Sequence, residues 1–167
     1  MLTDFAKVRT GRESDAEVLV RTFRESWLVA YQGIIPHAYL TTMLHRRGKE
    51  WWTTILSGGD PPLVLEAGGE VAGYASFGRA RGPLRYDGEI YELYLSPVYQ
   101  GLGFGEHLFE AARQRLGVME LHSLVVWALS DNAGACEFYE RRGGRPVAKA
   151  SERFGTTLVP KIAFGWS

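Results

Sequence analysis

Cysteine is almost missing from this sequence. Cys136 is the only one, which excludes a disulfide framework within the chain and a cysteine-based metal site. Histidine is scarce as well. His37, His45, His107 and His122 stand far apart and show no ligand spacing, so no bound metal is expected. Neither sign of charge prevails: 19 Lys+Arg face 19 Asp+Glu. With no broad basic field, a non-specific hold on nucleic acid is not expected. Long apolar runs are absent too. Nothing approaches membrane-spanning length, and the opening MLTDFAKVRTGRESD lacks an apolar core of signal-peptide length. The expectation is a cytoplasmic protein with no membrane partner. No repeat, low-complexity stretch or linker interrupts the 167 residues. Residues 1–167 therefore read as one domain, with enough chain for a sizeable core.

Glycine, by contrast, is plentiful, and it is concentrated where the chain is most informative. Glu89 to Glu106, EIYELYLSPVYQGLGFGE, reads as a strand, a stop, a glycine turn and the first turn of a helix. Glu89 to Leu95 carries the Tyr, Leu and Ile of a half-buried pleated surface, and Pro97 ends the ladder. Gly101, Gly103 and Gly105 follow. Then HLFEAARQRLG runs at helical spacing, with Leu108, Phe109, Ala112 and Leu116 on one side. A glycine turn opening a helix leaves backbone N–H groups unpaired at the positive end of the dipole, which is a phosphate cradle. A bare Gly-x-Gly means little in a chain with 20 Gly. A dinucleotide fingerprint would need its third glycine where Glu106 or Leu108 stands, and no Gly-Lys-Ser/Thr completes a Walker loop.

The remaining elements follow from period and punctuation. Phe5 to Arg9 suits a short first strand. Asp15 to Tyr31 is a helix, with Val18, Leu19, Thr22, Phe23, Ser26, Trp27 and Ala30 along one face. Gly33 and Pro36 break it. Pro36 opens a second helix through Tyr39, Leu40, Met43 and Leu44, and Trp51 to Leu56 can continue it. Leu63 to Ala67 and Val71 to Phe77 form a hairpin around Gly68-Gly69, and Arg79 to Gly88 is a loop. Ser123 to Leu129, SLVVWAL, is apolar throughout, as a strand buried on both faces would be. Ala133 to Arg142 is a helix ended by Gly143-Gly144, and Arg145 to Arg153 with Thr157 to Phe164 close the chain as a hairpin. Glu89 to Leu129 is then a βαβ unit, with a parallel, right-handed connection.

Gln100-x-x-Gly103-x-Gly105 after a strand ending Leu-Ser-Pro resembles the coenzyme A motif of the GNAT superfamily of acyl-CoA N-acyltransferases. Asn132-x-x-Ala135-x-x-Phe138-Tyr139-x-x-x-Gly143 resembles the same family's second signature, and the order of elements matches its fold over most of the chain. The best-matched part runs from Glu89 to about Gly143; WLVAYQGIIPHAYL resembles the segment before the sheet more loosely. The resemblance implies an α/β fold: a central mixed, mostly antiparallel twisted sheet, helices on both faces, and one parallel strand pair splayed at the cofactor cleft. It implies acetyl-CoA as co-substrate, with Leu93, Tyr94 and Leu95 meeting the pantetheine arm and thioester through backbone groups. It also implies that Gln100 and the turn Gly101, Leu102, Gly103, Phe104, Gly105 and Glu106 bind the pyrophosphate, while Asn132 contacts the cofactor arm. Glu106 is expected to point outward and offer only its N–H, because its carboxylate would repel phosphate. Gly144 stands where members usually have Phe or Tyr, which is expected to weaken packing at that helix end.

The same resemblance sets the Tyr139 hydroxyl near the thioester sulfur, as the acid for the leaving thiolate. A bland reading of each residue stands beside it: Asn132 as a helix cap, Tyr139 as packing. The acceptor amine also needs a base. A lysine-like amine titrates near about 10.4, so freeing its lone pair at neutral pH costs about 4–5 kcal/mol. Glu89 and Glu92 are the candidates. Strand alternation sets Glu89 on one face with Tyr91, Leu93 and Leu95, and Glu92 on the other with Ile90 and Tyr94. Several family members keep an acid at the Glu89 position, so Glu89 is the first choice, with an ion-paired strand residue as the plain alternative. Some relatives use a Glu five residues before the Asn; here that position is Trp127. The Leu95 N–H is expected to polarise the thioester carbonyl. Cys136, inside a helix with no neighbouring His, reads as a packed thiol. The expected partner is an amine, as a small molecule or a protein amine, bound among the first helices, the Arg79 to Gly88 loop, Trp27, Tyr31 and the last hairpin. A homodimer is compatible with all of this. The alternatives are a CoA-binding regulatory or sensor module with little turnover, and a different phosphate-ligand protein.

Overall fold

Seven strands form one sheet with helices on both of its faces. The computed structural model describes residues 5–167. Its strands β1 (Ala6–Thr10), β2 (Leu63–Ala67), β3 (Glu70–Arg79), β4 (Gly88–Leu95), β5 (Leu124–Leu129), β6 (Arg145–Phe154) and β7 (Thr157–Trp166) lie in the order β1-β2-β3-β4-β5-β7-β6. Neighbours are antiparallel except β4 and β5. Helices α1 (Ala16–Tyr31), α2 (His37–Arg46) and α3 (Lys49–Leu56) pack on one face, and α4 (Phe104–Val118) and α5 (Ala133–Arg141) on the other. This is the GNAT fold.

Two cores result, one on each face. In β2, Leu63 and Leu65 join Leu108, Phe109 and Leu116 of α4, while Val64 joins Leu19, Phe23 and Trp52 on the opposite side. In β5, Leu124, Val126 and Ala128 face the α4 side and Leu129 the other, so the unbroken apolar run of that strand is a strand covered twice. The closing hairpin folds back so that β7, not β6, lies against β5. β6 is left at the edge with most of its residues exposed.

Three local expectations need correction. The second helix does not continue to Leu56: it stops at Arg46, Arg47 leaves helical geometry, and Gly48 starts a separate α3. The loop between β3 and β4 is shorter than Arg79 to Gly88, since Arg79 still pairs with Gly88. Gly144 does not weaken the end of α5. The Trp166 ring occupies that space, 2.7 Å from where a Cβ on Gly144 would lie, and its Nε1 donates to the Arg142 carbonyl at 3.0 Å. The aromatic comes from the last strand instead.

Candidate active site

The parallel pair β4 and β5 is joined only at its beginning. Gly88 pairs with Leu124 and Glu89 with Val125, and no later pair forms. From there β4 follows β3, while β5 stays with β7 along its whole length. A bulge in β4 sits at the point of departure. Ser76 faces Glu92 and Phe77 faces Ile90, so Tyr91 is an extra residue. Bulges sharpen local twist and re-aim side chains.

The bulge overturns simple alternation. Ile90 packs with Leu93 and Leu95 toward α4, while Glu89 and Glu92 line one cavity on the other face with Tyr94. Both candidate bases therefore share a face. Room for Tyr91 comes from Gly78, where a Cβ would lie 2.7 Å from the Tyr91 hydroxyl.

The edge of β4 that looks into the gap carries free backbone groups. Ser96 N–H donates to the Ala72 carbonyl at 2.8 Å. Hydrogen-bonded pairs alternate along an antiparallel ladder, so Tyr94 bonds toward β3, and Leu93 and Leu95 turn their amides toward the gap. The Leu95 carbonyl is already taken, by Ser26 Oγ at 3.0 Å and Gln100 Nε2 at 3.1 Å. Gln100 thus ties the turn to the strand end.

Beyond a short 3₁₀ turn at Pro97–Tyr99, the glycines divide the work. Gly101 and Gly103 have φ of 77° and 86°, a region that disfavours other residues. Gly103 caps α4, so the first amides of that helix face outward without side-chain partners. Gly105 is buried, and a Cβ there would lie 3.1 Å from Phe138. Leu102 is largely exposed, and Phe104 is buried in the core under α4. The Glu106 carboxylate is 60% exposed and 3.9 Å from Arg142, so it turns outward.

On β5 and α5, Asn132 Oδ1 accepts the Ala135 N–H at 3.2 Å, which makes it the cap of α5. Tyr139 is buried among Phe109, Phe138, Phe164 and Trp166. Burial raises its phenol well above the ordinary value, with smaller effects from Tyr31 and Cys136, so it holds its proton. Cys136 lies half-buried with Sγ 3.6 Å from the Leu129 carbonyl, and burial raises its thiol too. That is a packed thiol.

A cavity of about 1130 Å³ is walled by Trp27, Tyr31, Trp51, Tyr91, Tyr94 and Trp127 among others, and reaches Arg115, Val118 and Met119 at the end of α4. Four acids line it, Asp60, Glu89, Glu92 and Glu152, and the last three are each paired with a base from another element. Glu89, 4% exposed, accepts the Arg81 N–H at 2.9 Å and Arg81 Nη2 at 3.2 Å. Glu92 pairs with Arg47 Nη1 at 2.8 Å, and the Arg47 guanidinium lies over Phe23 and Trp51. Glu152 pairs with Lys161, which lies over Trp127. Tyr31 and Tyr94 share a hydrogen bond of 2.6 Å between hydroxyls, and burial pushes the Tyr31 phenol up to about 12. Arg47, Arg81 and Lys161 carry no motif, and only the folded chain brings them to the acids. The glycine turn does not line this cavity. The glycine turn and this cavity are thus separate parts of the site. Among the described residues no helix is long and apolar enough to cross a membrane.

Known proteins agree with this geometry. A sequence profile of the Acetyltransferase (GNAT) family matches residues 20–144. The N-acetyltransferase YuaI of Bacillus subtilis is 27% identical over 160 residues, covering 95% of this chain and 91% of that one. The L-methionine sulfoximine/L-methionine sulfone acetyltransferase of Pseudomonas aeruginosa is 31% identical over 113 residues, covering 65% and 66%. In fold, the chain superposes on the PaiA N-acetyltransferase of Thermoplasma acidophilum, crystallised in complex with coenzyme A. That match has a TM-score of 0.73 and 20% identity, covering 93% of this chain and 97% of that one. The chain belongs to the GNAT family of acyl-CoA-dependent N-acyltransferases.

Proposed function

We propose that this protein is an N-acetyltransferase that moves the acetyl group of acetyl-CoA to a primary amine by direct attack. The observation that carries the reading is the β4/β5 gap, which has a glycine-led helix start at its open end and a buried carboxylate facing an aromatic cavity. A thioester laid in the gap would meet the outward amides of Leu93 and Leu95. The pyrophosphate would meet the amides between Gly101 and Glu106, where N–H donors and the helix dipole suit an anion. Gln100 would hold that turn against the strand end, and Asn132 would shape the start of α5 beside the cofactor arm.

The chemistry then divides between the cavity and the gap. In the cavity, the Glu89 carboxylate takes the proton that frees the amine lone pair. The nitrogen attacks the thioester carbonyl, and the Leu95 N–H stabilises the charge that builds on its oxygen. As the tetrahedral intermediate collapses, the C–S bond breaks and the thiolate takes a proton from Tyr139. The second nitrogen proton leaves to water, water reprotonates the Tyr139 phenolate, and Glu89 releases the first proton to solvent. Burial keeps the phenol protonated until the thiolate forms. No covalent enzyme intermediate is formed.

The acceptor is an amine, and the aromatic walls favour one with an apolar body. The sulfoximine and sulfone acetyltransferases make a small amino compound the first candidate. The test is release of free thiol from acetyl-CoA with a panel of amines that includes amino acids, alkyl and aryl amines and N-terminal peptides. Turnover with at least one class is the expected result. Binding of acetyl-CoA without turnover across the panel would favour a sensor, and no binding would end the proposal.

A further inference from the structure

Glu89 is not held by its own strand. Both of its oxygens are bonded by one residue of the β3–β4 loop: Oε1 by the backbone N–H of Arg81, Oε2 by its guanidinium. That loop is pinned at its far end. Ala80 N–H donates to the Asp87 carbonyl at 3.0 Å, and Asp87 N–H donates to Ser123 Oγ at 2.8 Å, just before β5. The guanidinium in turn lies 3.8 Å from the centroid of Tyr91, the bulge residue, whose hydroxyl donates to the Arg79 carbonyl at 2.5 Å. Bulge, ring, guanidinium and carboxylate form one stack at the mouth of the gap.

We propose that Arg81 is the positioning residue for the base, holding the Glu89 carboxylate aimed into the acceptor cavity. The proposal rests on the reading of Glu89 as the base. The two donors fix which lone pairs stay open toward an incoming amine. Other titratable groups line the same cavity: Tyr91 and Glu92 on β4, Arg79 on β3, Asp60 before β2, Arg115 on α4 and Lys161 on β7. No hydrogen bond joins any of these to the Glu89 carboxylate among the described residues.

Arg81→Met keeps the stem and the backbone donor and removes the charge. Two readouts separate the possibilities, both with the most active amine. The first is the split between kcat and KM. In Arg81→Met kcat should fall several-fold while KM for acetyl-CoA holds, and Arg81→Lys, which keeps a cation in reach of Oε2, should restore most of the loss. The second is additivity. Because Arg81 acts through Glu89, adding Arg81→Met to Glu89→Gln should cost no further activity. An additive loss, or an unchanged kcat in Arg81→Met, overturns the role of Arg81 and leaves Glu89 as base intact. Full activity in Glu89→Gln overturns Glu89 as base, and with it the catalytic meaning of Arg81.

Discussion

At the scale of single residues, the two groups proposed to handle protons make separable predictions. Glu89→Gln keeps the shape and removes the base, so kcat should fall about 10²–10³-fold, within the range of general base catalysis. Tyr139→Phe removes only the donor and should cost about 10-fold or more in kcat. In both, the Kd for acetyl-CoA by calorimetry should change less than twofold, because neither side chain would hold the phosphates. The raised phenol of Tyr139 also means that no loss of activity below pH 10 should trace to its ionisation. Glu89 and Tyr139 stand out by the family resemblance of the strand and helix that carry them. Arg81, Arg47 and Lys161 were not, since an ion pair between distant segments leaves no local pattern. Alternation along β4 misled, because one bulged residue at Tyr91 moves everything on one side of it to the other face.

At the scale of elements, the glycines of the turn and of α4 predict opposite outcomes for the same substitution. Gly103→Ala forces a Cβ into left-handed backbone, at about 1–2 kcal/mol, and should weaken acetyl-CoA binding along with stability. Gly117→Ala lies in α4 with no positive φ and nothing within 4 Å of the new Cβ. It should stabilise by about 0.5–1 kcal/mol, read as a higher urea midpoint with unchanged activity. Helix starts and hairpin turns were legible here because Pro, Gly and apolar period announce them. The break between α2 and α3 was not, since Arg47 leaves the helix to reach Glu92, a partner 45 residues away.

The whole molecule is two cores around one sheet with a gap in it, and a ligand that fills the gap should brace both. Saturating acetyl-CoA at about 100 times its Kd would add about 2.7 kcal/mol, or roughly 5–10 °C in Tm for a chain of this size. Simple nucleotides, lacking the pantetheine arm, should add less in the same thermal shift assay. Alkali should act the other way. Burial raises the phenols of Tyr31, Tyr74, Tyr94 and Tyr139 in the fold. Between about pH 10, where an unfolded Tyr ionises, and the folded value of about 12 for Tyr31, the unfolded chain releases protons that the folded one keeps. The contribution of these phenols should be flat below pH 10 and lost above it, seen as a Tm that drops between pH 10 and 12. By itself the sequence determined most of the elements, the twofold burial of β5 and the glycine turn, because period, proline and glycine act over a few residues. The tertiary structure alone decided that β4 and β5 part after Glu89, that both acids face one cavity, and which cations hold them. Those outcomes depend on register, bulge and long-range pairing, which arise only when distant segments share one sheet.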